Sequence, residues 1–324
     1  FDGGLYLGVC DKIVPGLLIG ALRFGHLPAV FVPAGPMPSG LSNSAKAAVR
    51  QRYARGEASR EELLEAELGA YHAPGTCTFY GTANTNQLLM EAMGLHVPGS
   101  AFAPPESALR PLLTAEAARL VARNSRQGER WLPLGRQIDA RVLVNAVVAL
   151  LASGGSTNHG LHLPAIARAA GFELLWEDFA ALSKVVPLLA RVYPNGKADV
   201  NQFQAAGGPA WIIRELLGGG LMHNEVATVA GESLADYARE AWLDDGRLVW
   251  RELPVQSPAS DIVRSLGEPF APEGGMVLLD GNLGRAQLKT SAVDPAHWRV
   301  RAPARVFDSE AAVHAAYQAG ELQG

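Results

Sequence analysis

The sequence has few cysteines, little charge and no long apolar run. Two cysteines occur in 324 residues, too few and too far apart for the disulfide framework of a secreted scaffold. They do not form a C-x-x-C pair, so no zinc motif is present. Charged residues make up 19% of the chain, and 28 basic against 32 acidic side chains give a formal net charge of -4. No basic patch stands out, which speaks against a nucleic-acid or polyanion binder. No segment reaches the roughly 18–20 uninterrupted apolar residues of a membrane-spanning helix. Phe1-Asp2-Gly3-Gly4 carries neither the basic nor the apolar region of a signal peptide. A cytoplasmic enzyme without a nucleic-acid or membrane partner is the plain expectation. G-x-G-x-x-G, G-K-S/T and G-x-S-x-G are all missing, which removes support for dinucleotide, P-loop and serine-hydrolase readings.

What is present fits a large buried core. Hydrophobic residues make up 48%, too many for disorder, and the length suits about two ordinary domains. The chain begins with Phe1 and ends just after a helix-like stretch; truncation at both ends is expected.

Leu5 to Val9 reads as a buried strand, and Pro15 suits the first turn of a helix through Leu22. Ala29 to Val32 is a second strand. Strand, helix and strand within about thirty residues make a βαβ unit and a parallel sheet. Cys10-Asp11-Lys12 then falls at the carboxyl end of the first strand, the edge where open α/β sheets bind ligands. Pro33 to Gly40 reads as a loop. Ser59 with Glu62 is a capping box opening a helix to about Tyr71, and Thr82 to Met93 is helical. Thr114 is expected to cap a helix to Asn124. Arg141 to Leu151 is a buried helix, broken by Gly154-Gly155-Ser156-Thr157-Asn158; the next helix ends near Gly171. Phe179 to Val192 looks helical in part, and Ile212 to Leu217 is a helix ending in Gly218-Gly219-Gly220. From about Gly275, short strands are expected at 276–279, 286–290 and 304–307. The fold class is thus α/β: a parallel-sheet domain over residues 1–272, then the start of a β-rich domain over 273–324.

Several groups carry possible chemistry. Cys10, Asp11 and Lys12 put a thiol, a carboxylate and an amine together; thiolates suit soft metals and iron–sulfur clusters, carboxylates suit Mg²⁺. A buried thiol beside an ordinary ion pair is the bland alternative. Cys77 lies in a loop dense in Gly, Thr and Asn, able to bring N–H groups and hydroxyls to a ligand. Two cysteines do not complete a four-ligand site. Ser156, Thr157 and Asn158 open a helix, where anions bind well; a simple cap serves equally. His159 and His162, three apart on one face, could be ligands or a structural pair. Asp199 to Gly208 and Gly281 to Arg285 could approach a substrate or be ordinary turns.

Together these segments resemble one family. Cys10-Asp11-Lys12-Ile13-Val14-Pro15-Gly16, with Gly20 four residues on, resembles the signature of the dihydroxy-acid and phosphogluconate dehydratases. Cys77 with Tyr80 and Thr82-Ala83-Asn84-Thr85 resembles the second cysteine motif. Gly154 to Asn158 and Gly281-Asn282-Leu283 follow in order. Tyr71 to Gly81 and Tyr193-Pro194-Asn195-Gly196 look like the 6-phosphogluconate branch.

The resemblance implies an α/β dehydratase domain followed by a β-rich C-terminal one. It also implies dehydration of a phosphorylated sugar acid, with another sugar-acid or branched dihydroxy-acid dehydratase as the alternative and a cluster-free binding protein as a remote third. Cys10 and Cys77 would ligate an iron–sulfur cluster, 4Fe–4S in preference to 2Fe–2S. Asp11 and Lys12, the latter carbamylated, would bind Mg²⁺ and act in catalysis. Ser156, Thr157 and Asn158 are weaker substrate-binding candidates. A homodimer is expected, with the remaining metal ligands and a serine base outside this stretch.

Overall fold

The computed structural model describes residues 1–322. Strand β1 (Gly4–Gly8), helix α1 (Ile13–Arg23) and strand β2 (Ala29–Pro33) open the chain, followed by α2 (Asn43–Ala54) and α3 (Arg60–Ala70). Then come α4 (Thr82–Ala92), α5 (Leu109–Arg123), α6 (Leu134–Gln137), α7 (Ala140–Ser153), α8 (His159–Ala169), α9 (Trp176–Ser183), α10 (Val200–Ala205) and α11 (Gly208–Gly218). Two hairpins, β3 (Arg239–Asp244) with β4 (Arg247–Glu252) and β5 (Met276–Gly281) with β6 (Gly284–Lys289), precede α12 (Glu310–Gln318). Residues Phe1–Pro38 and Ala73–Ala292 form one compact unit; Ser39–His72 and the residues from Val293 on form another.

In the first unit, β1 and β2 pair in parallel from Gly4↔Ala29 to Gly8↔Pro33, the expected βαβ unit. Every residue of β2 is buried, but β1 is not the buried strand expected: Leu5, Leu7 and Val9 are exposed, because among the described residues β1 has a strand neighbour on one side only. The ladder continues as single contacts: Ala34 N–H donates to Gly8 O, and Pro36 bridges Thr76 in parallel. The segments that carry Cys10 and Cys77 therefore end on the same side. Apart from this small parallel sheet and the two antiparallel hairpins, the unit is helical. Its centre is α4 and α7, with Leu88, Leu89, Ala146, Val147, Leu150 and Trp211 among the fully buried side chains. Helix α7 stops at Gly154, whose φ of 62° is the left-handed conformation that glycine adopts without a Cβ penalty. Helix α8 contains Pro164. That residue cannot donate to the carbonyl four residues back, and the Trp176 indole N–H fills the gap by donating to Gly160 O at 2.9 Å.

The second unit holds α2, α3 and α12. The capping box at Ser59 and Glu62 is formed, with hydrogen bonds of 3.1 and 2.8 Å. Arg50 and Arg52 pair with Glu67 and Glu62, tying α2 to α3.

Several sequence expectations are corrected. Thr114 is not a cap: α5 starts at Leu109 with Pro111 in its first turn, and Thr114 Oγ1 donates within the helix to Arg110 O at 3.0 Å. The segment 179–192 is helical in part, as expected: α9 covers it to Ser183, and after a turn Leu188, Ala190 and Val192 bridge Ala271, Val263 and Ala198. Helix α11 begins at Gly208 rather than Ile212, because Pro209 suits its first turn. Residues 304–307 form no strand: Val306 is 86% exposed, with no sheet edge to pair against. The β3–β4 hairpin was legible but passed over. Asp245-Gly246, both at positive φ, is a two-residue turn pair between alternating strands.

Candidate metal and substrate site

Helix α4 organises the candidate site. Its residues Ala83 to Ala92 are all buried, including the polar Asn84, Thr85, Asn86 and Gln87. A buried polar side chain without partners costs roughly 1–3 kcal/mol, so four in succession require a network, and between them they reach three segments of the site.

Asn84 holds the Cys77 loop. Its Nδ2 donates to Cys77 O at 2.6 Å and Phe79 O at 2.9 Å, and its Oδ1 accepts from Thr76 Oγ1 at 2.8 Å. Asn86 holds the other cysteine segment, donating from Nδ2 to Asp11 O at 2.8 Å. Gln87 Nε2 lies 3.4 Å from Gly8 O. Thr85 Oγ1 accepts from Ser156 N at 3.1 Å, and Thr82 Oγ1 lies 2.8 Å from Ser156 Oγ while accepting from Asn158 Nδ2 at 2.9 Å. One helix start thus gathers the segments of Cys10, Cys77 and Ser156.

The asparagine orientations follow from these partners. Asn86 must turn its N–H₂ toward the Asp11 carbonyl, so its Oδ1 faces His159 Nε2 at 2.9 Å. A neutral imidazole has one N–H, and His159 meets an acceptor on each side, Asn86 Oδ1 at Nε2 and Ser156 O at Nδ1 at 3.2 Å, so one of the two contacts carries the proton. Burial pulls the His159 pKa down to about 3, so the ring stays neutral. His159 also packs edge-to-face against His162, with centroids 5.5 Å apart. His159 is therefore a structural strut, the plainer of the two readings of that pair. The His162 pKa is lowered by burial, while the nearby Asp11 carboxylate opposes that shift.

Asp11 and Lys12 form an exposed ion pair of 2.7 Å. The hydrogen bond from Lys12 holds the Asp11 carboxyl below the usual carboxylate range, and Asp11 holds the Lys12 ammonium above its own. Lys12 is 82% exposed, so the pair adds little stability; its value is an ionised carboxylate facing solvent. Cys10 is exposed and Cys77 half-buried. Among the described residues no three His, Cys, Asp or Glu side chains gather as a metal site. Two thiols on segments tied to one helix, with a carboxylate next to Cys10, are residue types that suit part of a cluster site and part of a Mg²⁺ site. Ser156 and Asn158 are drawn to Thr82, with Thr157 half-buried between them. Ser156 is not the N-cap of α8, which is Asn158 without a side-chain cap bond, but its Oγ accepts from Asn158 N at 3.3 Å in the turn that opens the helix.

Sequence reasoning passed over Asn84, Asn86 and Lys289, whose Nζ donates to Gly154 O at 2.5 Å. For the asparagines a signal existed: Thr82 to Gln87 is an almost wholly polar helix start with no apolar face.

A family model described as Dihydroxy-acid/6-phosphogluconate dehydratase N-terminal matches residues 1–237, and the corresponding C-terminal model matches 261–324. The chain belongs to the dihydroxy-acid/6-phosphogluconate dehydratase family. Among relatives within it, the phosphogluconate dehydratase of Pseudomonas aeruginosa is 61% identical over all of this chain, and that of Escherichia coli K12 is 58% identical over 99% of it. A dihydroxy-acid dehydratase of Caldanaerobacter subterraneus is 33% identical over the whole chain. The chain spans about half the length of these relatives, 53% for the first two and 56% for the third. Dehydratases of this family are metal-dependent.

Proposed function

We propose that the full protein is a hydro-lyase converting 6-phospho-D-gluconate to 2-dehydro-3-deoxy-6-phospho-D-gluconate and water, as in the Entner–Doudoroff pathway. The observation that carries this is the contrast in identity: 61% and 58% to proteins named phosphogluconate dehydratase, 33% to one named dihydroxy-acid dehydratase, each over essentially the whole chain. The proposal includes a cytoplasmic homodimer and a domain boundary near residue 272. The stretch described here would be inactive alone, holding only part of the site.

The reaction removes a proton at C2 and hydroxide from C3. Cys10 and Cys77 would hold an iron–sulfur cluster, 4Fe–4S or 2Fe–2S, and Asp11 with Lys12 would hold Mg²⁺. When bound, these groups supply a Lewis acid for the departing hydroxyl and a counter-charge for the substrate carboxylate. The chain's own residues set the geometry. Asn84 and Asn86, on one rigid helix, fix the backbone at Cys77 and at Asp11, so the two metal-holding ends keep a constant separation. Asp11 is ionised at neutral pH and can accept a cation without first losing a proton. Carbamylation of Lys12 requires a neutral amine, and Asp11 opposes this while it pairs with the ammonium. Ser156 and Asn158, positioned by Thr82, offer a hydroxyl and an amide to substrate oxygens.

The full-length protein should dehydrate 6-phosphogluconate far faster than 2,3-dihydroxy-3-methylbutanoate. Cys10→Ser and Cys77→Ser should each remove the cluster's visible absorption and the activity. A preference for the branched dihydroxy acid, or serine variants with full cluster and turnover, would overturn the proposal.

A further inference from the structure

The β5–β6 hairpin brings a lysine to the Gly154–Asn158 loop from more than a hundred residues away. Lys289 Nζ donates to Gly154 O at 2.5 Å, and Asn195 Nδ2 donates to the same carbonyl at 2.9 Å. The contact is built on close packing, since β6 also sets Gln287 against Gly160, where any Cβ would collide with its amide. Gly154 itself has no room for a Cβ beside Asn195.

Both side chains are left incomplete. Lys289 is partly buried with no acidic partner, and burial alone pulls its pKa down to about 8. One carbonyl occupies one of the three donors of an ammonium and does not offset the cost of withdrawing a charge from water. Asn195 Oδ1 is buried without a hydrogen-bond partner. A cation without a counter-charge and an amide with an unfilled acceptor, both donating to one carbonyl, are complementary to an anion that also carries a hydroxyl. Ser156 Oγ, two residues along the loop, adds a further polar group.

We propose that Lys289 and Asn195 form the subsite for the phosphate end of the substrate, Lys289 binding the phosphomonoester dianion and Asn195 an adjacent hydroxyl. This rests on the function proposed above. That function places the substrate carboxylate at the opposite end, by Asp11 and Lys12. Both ends are tied to one helix: Asn86 fixes Asp11 and Thr82 fixes Ser156, their own positions four residues or about 6 Å apart along α4. A dianion gains more from a partly buried ammonium than from a solvated one, because less water screens the pair. Lys289 is thus a specificity-determining residue, separating phosphorylated from unphosphorylated sugar acids.

The test uses the full-length, cluster-loaded enzyme with Lys289→Met and Lys289→Arg. KM does not depend on the fraction of enzyme that is active, so partial misfolding does not confuse the result. Lys289→Met should raise KM for 6-phosphogluconate about 10- to 100-fold, with Lys289→Arg recovering part of the loss. Inhibition by inorganic phosphate should weaken in parallel, and inhibition by D-gluconate should stay unchanged. An unchanged KM in Lys289→Met, or an equal weakening of gluconate and phosphate inhibition, would overturn the inference while leaving the proposed reaction intact. Failure of the wild-type enzyme to turn over 6-phosphogluconate would overturn both.

Discussion

Replacing Asn86 by alanine tests whether α4 holds the site together. Asn86 is 3% exposed and makes two hydrogen bonds, to Asp11 O at 2.8 Å and to His159 Nε2 at 2.9 Å. The substitution leaves the buried His159 Nε2 without its partner, at roughly 1–3 kcal/mol, and removes a bond worth about 1 kcal/mol to the Asp11 backbone. The sum, about 2–4 kcal/mol, should lower the melting temperature of a full-length protein about twice as long as this chain by roughly 2–3 °C. The more telling effect is local. Without the Asn86 tether the Cys10–Lys12 segment loses its side-chain anchor to α4, so cluster absorption and Mg²⁺-dependent turnover should fall further than stability does. Asn86→Asp provides the control. It keeps an acceptor for His159 but sets a second oxygen against the Asp11 carbonyl, so it should damage the metal segment at least as much as alanine. Thermal unfolding by circular dichroism and visible absorption on the same samples would measure both effects. An Asn86→Ala protein within 1 °C of wild type, with full cluster content, would refute the view that α4 positions this segment.

Two further predictions concern backbone and charge. Gly75 has a φ of 126°, and a Cβ there would lie 2.5 Å from Met37 N and 2.7 Å from Pro36 C. Because backbone cannot swing aside, Gly75→Ala should displace the Cys77 loop and reduce cluster uptake several-fold, measured as iron per chain; normal iron content would contradict this. Glu91 is fully buried, and burial lifts its carboxyl to about 7 although Gly99 and Ala101 N–H groups donate to it. The folded state therefore binds this proton more tightly than the unfolded state. Its contribution to stability is complete below pH 4.5 and is lost as pH rises through about 7, amounting to about 3 kcal/mol. Glu91→Gln should abolish that component, so wild-type stability measured by urea unfolding should fall by about 3 kcal/mol relative to the variant between pH 4.5 and 7; parallel pH dependences would show that Glu91 does not titrate there.

The sequence by itself determined the local elements and the likeness to a family. Apolar runs at Leu5 and Ala29 around a Pro15 helix specify β1–α1–β2, and that unit alone puts Cys10, Asp11 and Lys12 at a strand end. Ser59 with Glu62, and the apolar stretch from Arg141, are equally local: their signals lie within one or two turns of the residues they order. Tertiary structure decided which distant groups meet. Asn84 and Asn86 are two polar residues in a row of several, and no neighbour in sequence says that one grips the Cys77 loop and the other Asp11. Lys289 read as the end of a short strand, and its partner Gly154 lies 135 positions away. A buried polar side chain must find a partner, but the chain pattern states only the need. Packing of α4, α7 and the β5–β6 hairpin supplies the partner, and it makes the strand end carrying Cys10 one side of the proposed site, whose other side would come from Cys77, Ser156 and Lys289.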